Sequence, residues 1–329
     1  MANENLRIML WNVENLFIYL DKYNNEDLST LSEIKWQKMS NASTPNKYLN
    51  KIFGLKKSID EIDPDVLMLN EVGGIESIEN FNSLFLDSKY KAYLLEGNSD
   101  RGIDVGYLVK KDLDFDVSIT SHKDRQIPLK YTNDPDDVKY YISRDVSELQ
   151  LKINKKAKYV FLLTHLKSKL DLQGIDKEGI IRRTAEAKLL TDIYLERQAE
   201  LPDTPIFVCG DFNGVLEDPR HTEFQYLRNE SKLVDTLEYS KVFKTAPRTT
   251  QVQFRMNLRT DYQFDYILFN PKYSKLIIPE ESYIYYYLDE NGNPMMIPNS
   301  LTERYKLASD HYPVVVTLSP QGYIGKLTN

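Results

Sequence analysis

The stretch PIFVCGDFNG, residues 205–214, decides how the chain is read. Pro205 opens an apolar run, Ile206-Phe207-Val208-Cys209, with the length and composition of a buried strand. Gly210 stops the run. Asp211 and Asn213 follow at positions i and i+2, which point the same way on an extended backbone. A carboxylate and a carboxamide therefore stand side by side just past the carboxyl end of a strand, able to hold a water and a phosphate oxygen. An Asp/Asn turn after a strand is common without any chemistry, so the pattern gains weight only if it recurs.

It does recur. LRIMLWN (6–12) reads as the first strand, with Asn12 and Glu14 at its end. Asp65–Leu69 is a strand followed by Asn70 and Glu71, and Tyr159–Leu163 is a strand closed by Thr164 and His165. Asp104 leads into Val105–Val109, Asp265 lies in the strand Phe264–Phe269, and Asp310-His311 precede the last strand, Val314–Leu318. Several carboxylates brought to one place repel one another and do not all ionise cheaply without a cation among them. An oxygen-rich set suits Mg²⁺, Mn²⁺ or Ca²⁺ better than zinc. A His whose one ring nitrogen is bonded to an Asp is held in one tautomer and favoured in its charged form. Beside a phosphate, such an imidazolium stabilises the charge that develops in an in-line displacement.

Other classes are disfavoured. The chain has no G-x-S-x-G elbow and no phosphate loop of the G-x-x-x-x-G-K-[ST] type, nor the paired-His helix motif of zinc proteases. Cys209 is the single cysteine, so there is neither an intrachain disulfide nor a cysteine-rich zinc site. No apolar run approaches the ~20 residues of a membrane span, and the N-terminus does not read as a signal peptide. The cytoplasm is the expected compartment; a mature secreted chain whose leader has been removed would look the same. A net charge of −7 argues against a surface coated for nucleic acid, but leaves room for an enzyme whose positive charge is local or metal-borne.

Helical stripes are expected over 47–62, ended by Asp63-Pro64, and over 75–88, 180–199 and part of 220–235. Residues 18–46 read as a surface excursion, 112–158 as successive short strands, and 282–298 as a hairpin turning at Asn291-Gly292. Trp11 and Trp36 are expected in or over the core, and His122 and His221 on the surface. Without linker, repeat or low-complexity segment, residues 1–329 read as one domain.

In this order, WNVENLF (11–17), PDVLMLNEV (64–72), RGIDVGYLV (101–109), LLTHLKSK (162–169), VCGDFN (208–213), FDYILF (264–269) and SDHYP (309–313) resemble the motifs of the endonuclease/exonuclease/phosphatase superfamily, the fold of pancreatic-type deoxyribonuclease. The resemblance spans almost the whole chain and is strongest to bacterial nuclease-like members. It implies an α/β four-layered sandwich: two mixed, mainly antiparallel β-sheets packed face to face and flanked by helices. Glu71 would be the principal metal ligand, with Asn12, Glu14 and Asp310 beside it. Asp211 would orient or deprotonate the attacking water, Asn213 would hold the phosphate, and His311, oriented by Asp265, would contact it. His165 matches a second His of the deoxyribonucleases, and Asp104 stands where that His finds its carboxylate partner. Arg101, Lys167, Lys169, Arg182 and Arg183 lie near these motifs as a candidate phosphate-binding set; the competing reading makes Arg182 and Arg183 solvated helix positions and the lysines a solvated loop.

The expected function is divalent-metal-dependent phosphodiester hydrolysis (Mg²⁺ or Mn²⁺, with Ca²⁺ as an alternative), acting on DNA or RNA with little base specificity, by a monomer without stable membrane association. One rival is a lipid or inositol-phosphate phosphoesterase that uses 282–298 as a membrane contact. The other is a non-catalytic binding module on the same fold.

Overall fold

The computed structural model describes residues 5–171, 174–243, 246–256, 258–289 and 291–320. In chain order its strands are β1 (Leu6–Leu16), β2 (Val66–Val72), β3 (Tyr90–Tyr93), β4 (Asp104–Lys110), β5 (Asp116–Ser121), β6 (Gln126–Ile127), β7 (Tyr140–Tyr141), β8 (Val146–Ile153), β9 (Lys156–His165) and β10 (Ile206–Asp211). They continue with β11 (Val234–Asp235), β12 (Gln251–Arg255), β13 (Leu258–Tyr262), β14 (Asp265–Phe269), β15 (Tyr283–Ile284) and β16 (Val314–Leu318). The α-helices are α1 (Glu33–Gln37), α2 (Leu49–Ile62), α3 (Gly74–Phe85), α4 (Ile180–Glu200), α5 (Gln225–Glu230) and α6 (Leu301–Tyr305).

Two six-stranded sheets form, in the orders β15-β16-β1-β2-β4-β3 and β11-β14-β10-β9-β8-β5. Each contains one parallel pair, β1 with β2 and β9 with β10, among antiparallel neighbours. A parallel pair needs a long crossover. Here the crossovers carry α2 and α4, so each sheet gains its helical cover from the connection that builds it.

The layering follows from the period of two along each strand. In the second sheet Phe161, Leu163, Phe207, Cys209, Ile267 and Phe269 join the core shared with the first sheet. The alternate residues Val160, Leu162, Ile206, Val208, Tyr266 and Leu268 pack with Ala185, Leu189, Leu190 and Ile193 of α4. The middle residues of these strands are apolar on both faces because both faces are covered. On the outer face of the first sheet, α2 turns Leu49, Ile52, Leu55, Ile59 and Ile62 inward at helical spacing. The expected mixed, helix-flanked α/β sandwich is what the chain forms.

Several local expectations change. The 18–46 excursion is anchored rather than purely superficial: α1 buries Trp36 completely, and its indole Nε1 donates to the Lys47 carbonyl at 2.9 Å. Within 282–298 the expected turn at Asn291-Gly292 is flanked by an antiparallel bridge, Leu288 with Pro294, and by the Met295 N–H donating to the Tyr287 carbonyl at 2.7 Å, while Tyr283–Ile284 pairs with β16 and Tyr285 and Tyr287 enter the core; residue 290 lies outside the described residues. His122, expected at the surface, is buried with its Nε2 3.0 Å from Glu148 Oε2. His221 is half-buried, its Nδ1 3.1 Å from Glu223 Oε1.

Glu148 also accepts from Arg197 Nε at 2.7 Å and Gln150 Nε2 at 2.6 Å. Burial alone would raise its carboxyl, but these hydrogen bonds from His122, Arg197 and Gln150 win and lower it to about 2. A carboxyl depressed in the folded state stabilises above its ordinary value of 4.5, and that contribution is lost as pH falls toward about 2. In urea titrations, Glu148→Gln is expected to be less stable than wild type at neutral pH by ~2–4 kcal/mol, with the gap narrowing between pH 5 and pH 3. A gap that stays constant with pH would contradict this account.

Candidate active site

Strand register assembles the site. Asp211, the last residue of β10, pairs across the ladder with Asp265 of β14 on one side and His165 of β9 on the other. All three share the alternation of the residues that face the first sheet. In that sheet Asn12 is paired with Asn70. The polar ends of five strands thus meet where the two sheets face each other.

Asp211 is almost fully buried, and asparagines hold it from both sheets. Its Oδ2 accepts from Asn12 Nδ2 at 3.0 Å, and its Oδ1 from the Asn213 backbone N–H at 2.8 Å. Its own N–H donates to Asn70 Oδ1 at 3.2 Å, while Asn70 Nδ2 donates to the Thr164 carbonyl at 3.0 Å. Asn70 therefore ties β2 to both β9 and β10, a role the sequence reading missed. Its only signal is an asparagine in an otherwise apolar strand. Gly210 completes the arrangement: φ is +145°, and a Cβ there would lie 1.9 Å from the Thr164 carbonyl oxygen. Asn213 takes a left-handed φ of 51° and donates its Nδ2 to the Leu166 carbonyl at 3.1 Å.

The two histidines have opposite electrostatics. His311 Nδ1 lies 2.7 Å from Asp265 Oδ2, and its Nε2 lies 3.8 Å from Asp211 Oδ2. Burial disfavours its charged form, but Asp265 and Asp211 outweigh this and raise its pKa well above 6.5. The backbone around it is clamped, because the His311 carbonyl accepts from Trp11 Nε1 at 3.0 Å and from Tyr287 Oη at 2.6 Å. His165 is the reverse case: burial, then the positive charges of Arg144 and His311, push its pKa well below 6.5. Its Nε2 faces Asp211 Oδ2 at 3.5 Å and Glu71 Oε1 at 3.9 Å, while its buried Nδ1 has no partner among the described residues. The neutral ring therefore carries its proton on Nε2, toward the carboxylates.

Asp104 is a correction. Its Oδ1 accepts from the Gly97 N–H at 2.8 Å, and it makes no pair with His165. As the first residue of β4 it is engaged by the loop that precedes that strand. Asp211, raised by burial and further by Asp265, with His311 opposing, is the carboxylate that faces His165.

Glu71 sits in a β-bulge between the Asn70 and Val72 pairings, at φ 64°, which turns it out of the ladder. Its Oε2 accepts from the Asn15 N–H at 3.1 Å. Glu14 is held from the other side: its Oε2 lies 2.5 Å from Lys51 Nζ and 3.6 Å from Lys47 Nζ, so two lysines of the 47–51 segment compete for it. Burial pushes Lys47 down to about 8 even though Glu14, Asp310 and Glu71 all act to raise it; the three carboxylates surround it. Asp310 lies 3.6 Å from Arg304 NH1. Asn12 has both amide atoms engaged, its Oδ1 accepting from the Glu14 N–H at 3.0 Å. Oxygen atoms from Glu71 and Asp310 suit a hard divalent cation. Ligand atoms of Asp211, Asp265 and His311 also lie within 4.8 Å of one another. His311 already bonds Asp265 and is held protonated, so that trio could ligate a metal only by losing the imidazolium.

Of the expected phosphate-binding set, Arg101, Lys167 and Arg182 line one cavity of about 540 Å³, and Lys169 does not. The ammonium of Lys169 rests over the rings of Tyr262 and Phe264, at 4.7 and 5.0 Å. Arg183 is neither solvated nor available: it is 1% exposed and pairs with Glu223 at 2.7 Å. The same cavity contains a residue the sequence reading missed, Arg144. It is buried, donates NH1 only to the His165 and Leu166 carbonyls, leaves Nε without a partner, and has no carboxylate partner among the described residues. Nothing in its sequence surroundings, an Arg-Asp just before a strand, distinguishes it from a surface position.

Residues 9–311 match the Endonuclease/Exonuclease/phosphatase family. The chain belongs to that family. Its members are hydrolases of phosphodiester bonds and are generally dependent on a divalent metal. Solved structures with the same fold include the human Nocturnin catalytic domain with bound sulfate (TM-score 0.57, 16% identity, 96% of this chain and 94% of that one). They also include D. rerio TDP2 complexed with single strand DNA product (0.54, 16%, 96% and 100%). A third is an endonuclease/exonuclease/phosphatase family protein of Bacteroides thetaiotaomicron (0.53, 16%, 96% and 95%). At such identities the likeness speaks for the fold alone. No curated protein gives a significant match to the sequence.

Asn70→Ala removes this tie between the sheets and leaves the Asp211 N–H and the Thr164 carbonyl only their contact in the β9–β10 ladder. A loss of ~1–3 kcal/mol is expected in urea unfolding, from two lost buried hydrogen bonds. An unchanged midpoint would show that the sheets hold Asp211 without Asn70.

Proposed function

We propose that the protein, acting as one domain over the whole chain, hydrolyses phosphodiester bonds in DNA or RNA with the help of Mg²⁺ or Mn²⁺. The observation that carries this reading is the buried cluster Asp265–His311–Asp211, in which a charged imidazole is held by one carboxylate at 2.7 Å, while its other nitrogen lies 2.6 Å from the Gln251 side-chain amide and 3.8 Å from a second carboxylate. Glu71 and Asp310 would hold the metal, and Glu14 joins them only if it leaves Lys51 and Lys47. When bound, a divalent cation supplies a Lewis acid that neutralises phosphate oxygens and lowers the pKa of a nearby water.

The chain's own residues do the rest. Asp211, lifted by burial toward neutrality, is a stronger base than an exposed carboxylate and takes the proton of the attacking water. Its two oxygens are fixed by Asn12 and the Asn213 N–H, so the water is oriented before the bond forms. The His311 imidazolium stabilises charge on the phosphate, and neutral His165 donates from Nε2. Arg144, lacking a carboxylate, is available to a phosphate oxygen, with Arg101, Lys167 and Arg182 along the same cavity wall.

The support for nucleic acid is a cavity wall on which four cations, Arg101, Arg144, Lys167 and Arg182, outnumber the carboxylates Asp100, Asp171 and Asp176, on a chain of net charge −7. The lipid-phosphoester reading draws little from 282–298, which buries Tyr285 and Tyr287. Among its described residues that stretch leaves only Met295 and Met296 as exposed large apolar side chains. No described helix is long and apolar enough to cross a membrane.

The test is nicking of supercoiled plasmid with Mg²⁺ or Mn²⁺. Wild type is expected to nick, EDTA to abolish nicking, and Asp211→Ala and His311→Ala each to slow it by ~10²–10⁴-fold. Release of head groups from lipid, with plasmid left intact, would move the protein to the phosphoesterase class. Silence on both substrates would favour a binding module.

A further inference from the structure

A second cleft, of about 980 Å³, opens beside Glu14 and Asn15 and has Arg101 in common with the cationic cavity. Its inner end is continuous with the site, since the Asn15 N–H donates to Glu71 Oε2 at 3.1 Å. Lys47, Lys51 and Arg101 outnumber the carboxylates Glu14 and Asp100 in its lining. Glu14 is neutralised by Lys51 at 2.5 Å, and Arg101 reaches in to donate to Asn15 Oδ1 at 2.9 Å. Three aromatic residues line the cleft; Phe17 is buried and two present exposed rings. Tyr48, just before α2, is 60% exposed, and Tyr305, at the end of α6, is 57% exposed. Among the described residues no aromatic ring packs on either, although Arg304 lies over that of Tyr305 at 5.6 Å from its centroid.

Bare aromatic faces in a concave, cation-lined cleft, joined to a site for phosphodiesters, match the two faces of a nucleotide: a flat base and an anionic backbone. A base in a duplex is already stacked on its neighbours and cannot offer its face, whereas an unpaired base can. Apart from Pro45 and the buried Phe17, the remaining lining, including Thr44, Asn46 and Asn50, is polar or charged and gives no continuous bed for an acyl chain. We infer that this cleft seats an unpaired base next to the scissile phosphate, stacked on Tyr48 or Tyr305, so that single-stranded nucleic acid is the preferred substrate. The inference rests on the phosphodiesterase reading and narrows it.

Fluorescence anisotropy in EDTA, which prevents turnover, compares a short labelled oligothymidylate with a labelled duplex of equal length. The single strand is expected to bind at least ~10-fold more tightly than the duplex. Tyr48→Ala and Tyr305→Ala are each expected to weaken its binding by about 10-fold, while Tyr48→Phe and Tyr305→Phe keep it. Both side chains are exposed, and circular dichroism of the alanine variants separates lost stacking from lost fold. Duplex bound as tightly as single strand, or alanine variants that bind like wild type, would overturn the inference. So would binding only to vesicles of anionic phospholipid. Hydrolysis of bis(4-nitrophenyl) phosphate by the wild-type protein with Mn²⁺ is measured alongside. That assay fails if the phosphodiesterase reading is wrong, whereas the anisotropy series fails if the stacking is wrong.

Discussion

A carboxylate buried between two β-sheets has to be held by hydrogen bonds from both, or it costs more than the packing around it returns. Asp211 is that carboxylate. Asn12 and Asn70 reach it from the first sheet, Gly210 lets its strand pass within contact of Thr164, and His311 and His165 face it from either side. Sheet spacing, strand register and the site are therefore one constraint. A slip of one residue in β9 or β14 would turn His165 or Asp265 toward α4 and leave Asp211 alone.

Electrostatics sort the remaining charges. Glu14, Glu71, Asp211, Asp265 and Asp310 bring more negative charge to one region than water-free surroundings tolerate. The fold answers with internal cations: Lys47 and Lys51 at Glu14, Arg304 at Asp310, and the imidazolium of His311 at Asp265. Arg144 is the exception, a buried guanidinium left without a carboxylate beside His165. Groups held in costly states tend to collect at functional sites. Here they are accompanied by left-handed φ values at Glu14, Asn15, Glu71 and Asn213, all at strand ends that face the site.

Much of this was legible in the chain. Apolar runs of four or five residues bordered by Asp, Asn, Glu or His located β2, β9, β10 and β14 and the side chains they deliver, because strand ends and burial are local properties. The α2 and α4 stripes were legible for the same reason. Partner choice was not. Glu14 and Asp104 carry the right chemistry at the right positions, yet one is captured by lysines from the 47–51 segment and the other by the Gly97 N–H. His122 was read as a surface group and Arg183 as either a phosphate contact or a solvated helix position, since nothing nearby in sequence announces Glu148 or Glu223.

The sequence by itself determined which residue types stand at strand ends, the alternation that covers both faces of β9, β10 and β14, and membership of a metal-dependent hydrolase family. Tertiary structure alone decided that Asn70 links the sheets, that Arg144 has no carboxylate partner among the described residues, that Glu14 is neutralised, and that Tyr48 and Tyr305 line one cleft. The reason is physical. Burial and periodicity act over a few residues of chain, whereas a hydrogen bond or ion pair is set by distances between segments tens to hundreds of residues apart.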